Sequence, residues 1–249
     1  MSDETRPVAG GARTAAVIPA AGRGVRLGPG APKALRALGG TPMLIHAVRA
    51  MAASRSVSLV VVVAPPDGAA EVKSLLADHA LPERTDFLVV PGGESRQESV
   101  KLGLDALPAG IDIVLVHDAA RPLVPVDTVD AVIEAVRDGA PAVVPALPLA
   151  DTVKEVVPSA DGSPEPVVAT PLRARLRAVQ TPQGFEHATL VRAHEAVTDE
   201  VTDDAGMVEK LGLQVVLVPG HEEAFKVTRP LDLVLAEAVL ARRRANDGF

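Results

Sequence analysis

A chain of 249 residues, 47% hydrophobic and 23% charged, carries enough apolar mass for one substantial core. Its net charge of −7, with no Trp, no Tyr and four Phe, argues against a general nucleic-acid binder or a base-stacking platform. The absence of cysteine excludes disulfides and thiolate metal sites, and no apolar run approaches the length that crosses a bilayer. A cytoplasmic enzyme with neither a membrane nor a nucleic acid as partner fits these properties. The charge is also uneven. Between Thr5 and Pro66 there is no acidic residue, whereas Arg6, Arg13, Arg23, Arg26, Lys33, Arg36, Arg49 and Arg55 are basic. With Asp3 and Glu4 counted, residues 1–66 carry +6 and the remainder −13, a local reason to hold anions near the N-terminus.

Residues 1–13 lack an apolar signal core and read as a disordered extension, and 14–249 as a single domain. AAVIPA (15–20) is a short apolar run of the kind that forms a buried strand. The glycine-rich stretch that follows, AGRGVRLGPGAPKAL (21–35), fails both common phosphate fingerprints. A dinucleotide site needs a third glycine where Leu27 stands and an acid about 20 positions on, but the first acid downstream is Asp67. A P-loop needs Gly-Lys-Ser/Thr, and here Lys33 lies between Pro32 and Ala34. What remains is backbone N–H groups freed by glycine, with Arg26 and Lys33 adding charge. A plain glycine turn with solvated basic residues is the alternative.

Beyond it, strand and helix patterns alternate. TPMLIHAVRAMAAS (41–54) reads as a helix, with Thr41 as its cap and Pro42 in the first turn. SLVVVVAPP, DFLVVPGG, DIVLVHDA and PAVVPALP read as buried parallel strands, with helical patterns at 68–80, 96–107 and 126–139 between them. Such β-α-β-α repetition predicts an α/β, doubly wound, mostly parallel sheet with ligands at the carboxyl ends of its strands. Residues 151–176 break the rhythm. TVKEVV and EPVVATP flank PSADGSPEP, whose Asp161-Gly162 is a turn signal. An ordinary surface loop would account for this segment, but an isolated two-stranded ribbon is marginal in water, which favours an arm docked on a second subunit. The segments at 186–198 and 203–212 then read as helices, QVVLVPG and AFKVT as strands, and the chain from Pro230 as a last helix.

At this point the sequence resembles a known family. The glycine-rich loop with Arg26 and Lys33 is similar to the nucleotidyltransferase signature that wraps a nucleoside triphosphate. It is followed, in order, by PGGESRQESV (91–100), VLVHDAARPLV (114–124), LADTVKEV (149–156), QTPQGF (180–185), VTDDAGMVE (201–209) and FKVTRPLDL (225–233). Together these blocks resemble the 2-C-methyl-D-erythritol 4-phosphate cytidylyltransferases, in a stand-alone form with no second catalytic domain. Ala34 stands where the family commonly has Gln, and Glu94 where Asp is frequent; neither departure alters a charged phosphate ligand.

The resemblance implies CMP transfer from CTP to 2-C-methyl-D-erythritol 4-phosphate with release of pyrophosphate, or alternatively to another polyol phosphate such as ribitol 5-phosphate, by a homodimer whose 151–176 arm crosses to its partner. It implies that Arg26 and Lys33 stabilise the α-phosphate, and that Arg173 and Lys226 hold and orient the acceptor phosphate, with Thr152, Thr181 and Thr202 alongside. The CTP site would comprise Pro19, Ala20, Ala21, Gly22, Gly93, Arg96, Ser99, Asp118 and Ala119. Mg²⁺ would ride chiefly on the triphosphate, and no protein ligand to a metal is assigned. A phosphomonoester has its second pKa near ~6, so the nucleophile needs no general base. Three readings stay open. Ser99 is either a ligand to the base or a helix-face residue, His117 is expected to be structural, and Arg173 is singled out from Arg175 and Arg177 by the resemblance alone.

Overall fold

The computed structural model describes residues 12–22, 32–199 and 201–246. Its frame is a sheet in which β1 (Thr14–Pro19), β4 (Val57–Ala64), β5 (Asp86–Pro91) and β6 (Ile113–Val116) run parallel, in the order β5-β4-β1-β6. The period-2 alternation of these strands feeds two cores. Ala16, Ile18, Val60, Val62 and Leu115 face α1 (Met43–Ala53), α2 (Ala69–Ala77) and α4 (Val126–Arg137). Ala15, Val17, Val61, Val63 and Val114 face α3 (Arg96–Asp105), α5 (His187–Ala196) and α6 (Asp204–Lys210). The chain winds outward from β1 through β4 to β5, then α3 carries it back to β6 on the other side of β1. That reversal is the topological switch point, where doubly wound sheets open a crevice beyond the strands' carboxyl ends.

Beyond β6 the sheet departs from the expected pattern. β11 (Gln183–Glu186) inserts antiparallel between β6 and β7 (Ala142–Pro148). β10 (Arg177–Val179) also pairs antiparallel with β7, and β12 (Val215–Pro219) pairs parallel with it. The four residues of β11 are too few to show a periodicity, and a glycine among them weakens the strand signal further. Gly184 is there for space: a Cβ on it would lie 2.4 Å from Val132 Cγ1 of α4. Gly184→Ala should therefore cost about 1–3 kcal/mol through overpacking, measurable as a lower urea midpoint with an unchanged m-value.

Three local expectations are corrected. Thr41 pairs in a two-residue bridge, β2 (Ala37–Leu38) with β3 (Thr41–Pro42), so α1 begins at Met43 with Pro42 as its N-cap and no side-chain cap. AFKVT is not a strand. Residues 225–228 lie outside any ladder, and Val227 is held by its N–H donating to Ala120 O at 2.8 Å. Residues 1–11 of the expected extension lie outside the described residues, but Arg13 is fixed on the sheet. Its N–H donates to Asp112 and its carbonyl accepts from the Asp112 and Ile113 N–H groups.

The 151–176 segment forms an antiparallel ribbon, β8 (Glu155–Val156) with β9 (Val167–Ala169). Asp161 caps its turn by accepting from Ser159 Oγ and Ser163 N–H, and Gly162 sits at φ +78°, where a side chain would be strained. The ribbon does not bury its apolar residues on its own chain: Val157, Val168 and Leu172 are 55%, 62% and 68% exposed. No helix among the described residues is long and apolar enough to cross a membrane.

Candidate active site

At the switch point a cleft of about 270 Å³ opens beyond β1, β5 and β6. Pro19, Ala20, Ala21 and Gly22 follow β1, Gly93, Glu94 and Ser95 lead into α3, and Asp118, Ala119 and Ala120 follow β6. Lys33, Ala34 and Lys226 close the cleft from elsewhere in the chain. Every candidate CTP residue named from the sequence lines this cleft, as do Lys33 and Lys226. Ala34, Glu94, Ser95 and Ala120 line it as well and were not anticipated, because single residues at turns and helix entries carry no periodic pattern.

The loops approach closely because one glycine permits it. Gly92 N–H donates to Ala64 O at 2.8 Å, and a Cβ on Gly92 would sit 2.8 Å from Ala21 Cβ and 2.9 Å from Ser99 Oγ. The entry to α3 is a capping arrangement. Ser95 Oγ accepts from Glu98 N–H, while the Glu98 carboxylate accepts from Glu94 N–H at 2.8 Å. Ser99, although it lines the cleft, donates to Ser95 O and accepts from Gly93 N–H, so it also holds the loop in shape.

Charge is concentrated around Asp118, a largely buried carboxylate. Lys226 Nζ and Arg121 Nε lie 2.8 Å and 3.8 Å from Oδ2, and Arg96 Nε lies 3.7 Å from Oδ1. Burial alone would push the Asp118 pKa up, but Lys226, Arg96 and Arg121 more than offset it and bring it down to about 2. Lys226 reaches the cleft by alternation. Val227 is fully buried and Phe225 packs beside it in the small core under α7 (Pro230–Asn246), so the residue between them faces away from that core. Arg121 also ties the site together, its Nη1 and Nη2 donating to Ala224 O and Val179 O.

Beneath the cleft His117 is fully buried, and burial holds its pKa down to about 4. Its Nε2 sits 3.2 Å from Arg121 O, which can only accept, so the neutral ring carries its proton there. Nδ1 then accepts from Thr181 Oγ1 at 3.0 Å, and the same hydroxyl accepts from Asp118 N–H. His117 is thus structural, as expected. Thr181 is not available as a donor to the acceptor: it is 6% exposed, does not line the cleft, and has its proton committed to His117.

The remaining candidates lie elsewhere. Thr152, Arg173 and Thr202 are exposed and line no part of the cleft; Arg173 donates through Nη1 to Ala150 O at the base of the ribbon. Arg26 lies outside the described residues.

The family model for 2-C-methyl-D-erythritol 4-phosphate cytidylyltransferase matches residues 14–242. The chain belongs to that family. It is 88% identical to the cytidylyltransferase of that name from Streptomyces avermitilis over the whole of both chains. Against the Streptomyces coelicolor protein of the same name it is 87% identical, over 96% of this chain and 88% of that one. Among solved structures it resembles the Thermus thermophilus cytidylyltransferase at a TM-score of 0.68 and 36% identity, over 90% of this chain and 97% of that one. It also resembles the Anaerococcus prevotii 4-diphosphocytidyl-2C-methyl-D-erythritol synthase at 0.77 and 27%, over 92% and 99%. The protein is thus a nucleotidyltransferase with the α/β fold of this cytidylyltransferase family.

Proposed function

We propose that the cleft binds CTP and that the enzyme transfers CMP to 2-C-methyl-D-erythritol 4-phosphate, releasing pyrophosphate. The observation that carries this reading is the convergence of Lys33, Arg96 and Lys226 on one cleft floored by small residues, at the carboxyl ends of the parallel strands. An acceptor phosphate oxygen attacks the α-phosphorus, a new P–O bond forms, and the bond to the β-phosphoryl oxygen breaks. The attacking oxygen is already ionised near neutral pH, so no side chain need remove a proton. The obstacle is bringing two anions together, and the protein's contribution is placement and positive charge. Lys33 and Arg26 act at the α-phosphate, and Lys226 holds the acceptor's phosphate.

No group of three or more His, Asp or Glu able to hold a metal occurs among the described residues. Asp118 is a poor metal ligand, being surrounded by three cations. Mg²⁺ would ride chiefly on the CTP phosphates. The exposed ribbon supports a homodimer in which Thr152 and Arg173 serve the neighbouring cleft, with Thr202 contributing from the loop before α6. The enzyme works in the cytoplasm, where its nucleotide is found.

Comparing turnover with 2-C-methyl-D-erythritol 4-phosphate and with ribitol 5-phosphate tests the acceptor; preference for the second would overturn the assignment. Nucleotide choice is a separate expectation. A narrow pocket lined by backbone groups should exclude purines and discriminate against UTP, whose 4-position exchanges donor for acceptor. The ratio of kcat/KM for CTP to that for ATP should exceed roughly 10³, and comparable values would show that the base sits elsewhere.

A further inference from the structure

Arg96 enters the cleft from the first turn of α3, but its strongest partner is outside the cleft. Its Nη1 lies 2.7 Å from Asp204 Oδ2, at the start of α6. Asp204 is 1% exposed and lines no part of the cleft. Its other oxygen accepts from His194 Nε2 of α5 at 3.1 Å, and the His194 side chain is 2% exposed. The residues on either side of Asp204 are held as well. Gln183 of β11 donates to Asp203 Oδ2 at 2.7 Å and accepts from Ala205 N–H at 3.1 Å. Burial would push the Asp204 carboxyl up, but the His194 hydrogen bond and the Arg96 charge bring it below the ordinary range.

A buried carboxylate is costly unless paired, and a well-packed apolar residue could tie α6 to α3 at no greater expense. What an apolar residue could not do is fix a guanidinium. We propose that Asp204, braced by His194, is a positioning residue that holds Arg96 over the nucleotide cleft, so that a charge outside the cleft is needed for CTP capture. Asp204 pairs as an ion with one nitrogen of the Arg96 fork. The pairing also keeps Arg96 at 3.7 Å from Asp118, leaving Lys226 as that carboxylate's close partner at 2.8 Å. Without the Asp204 charge, Arg96 is drawn toward Asp118, where it competes with Lys226 and Arg121. The proposal rests on the reading of the cleft as the CTP site.

Calorimetric titration of CTP into the full-length protein tests it without turnover. Asp204→Asn should weaken CTP binding roughly 10-fold, the scale of losing one ionic partner of a charged group, and should raise KM for CTP while leaving KM for the acceptor unchanged. Arg96→Ala should weaken CTP binding similarly, and the double variant should be no weaker than Arg96→Ala alone, because the two residues act as one unit. Unchanged CTP affinity in Asp204→Asn, or effects that add fully in the double variant, would overturn the proposal. Should Asp204→Asn fail to fold, His194→Ala asks the same question one step further out. A loss of roughly threefold is expected there, and wild-type affinity would count against the brace and the proposal alike. The two readings fail differently. Silent Asp204→Asn beside damaging Arg96→Ala and Lys33→Ala leaves the cleft reading standing. If Arg96→Ala and Lys33→Ala are both silent in CTP binding and in kcat, the cleft reading falls and takes the proposal with it.

Discussion

Lys33→Ala should lower kcat by roughly 10²-fold or more, the loss seen when one preorganised charge or donor is removed from a developing anion. Lys33 lines the cleft in a single turn of 3-10 helix after the glycine-rich loop, and its neighbour Ala34 is the residue that packs into the core. Because the core contact at this turn is made by Ala34, the thermal midpoint of Lys33→Ala should stay close to wild type. The loss should fall on kcat more than on KM for CTP if the charge acts mainly as the α-phosphate becomes pentacoordinate. Steady-state kinetics with both substrates saturating is the measurement. A Lys33→Ala enzyme with wild-type kcat would remove this residue from the chemistry. Arg26, placed beside it by the family resemblance, should behave in the same way.

The second large effect concerns the ribbon. Thr152 and Arg173 stand at its base, exposed and away from the cleft of their own chain, while the ribbon leaves Val157, Val168 and Leu172 uncovered. If the arm docks on a partner, these two residues complete the partner's site. Lys33→Ala and Arg173→Ala homodimers should then each be nearly inactive, yet mixing them under conditions of subunit exchange should restore activity. Random pairing makes about half the dimers mixed, and in a two-fold dimer one of the two sites in each mixed dimer receives both intact residues. Activity should therefore recover toward roughly a quarter of wild type. Demonstrated exchange with no recovery would mean that Arg173 serves its own subunit and that the ribbon is only structural.

Much of this molecule was legible in its sequence because the signals are local or repeated. The apolar runs at β1, β4, β5, β6 and β7 are long enough to show themselves, and the helices between them carry their own periodicity, so the doubly wound class and a ligand site at the strands' carboxyl ends follow from their alternation. The cleft's small residues and its lysines were reached through ordered sequence blocks, a signal that belongs to the family resemblance and not to any single spacing. What the sequence could not determine is direction and partnership. QGFE is too short to announce an antiparallel strand, and its place between β6 and β7 depends on α4 meeting Gly184. AFKVT has strand composition but joins no ladder, so it serves as a strap that buries Val227 and turns Lys226 toward Asp118. Thr181 resembles a substrate ligand in its motif, yet only the fold shows its hydroxyl committed to His117. Arg96 and Asp204 lie far apart in the chain, and no spacing rule joins them. Periodicity reports which face of an element is buried, but which charge meets which is decided only when α3, α5 and α6 pack together over one face of the sheet.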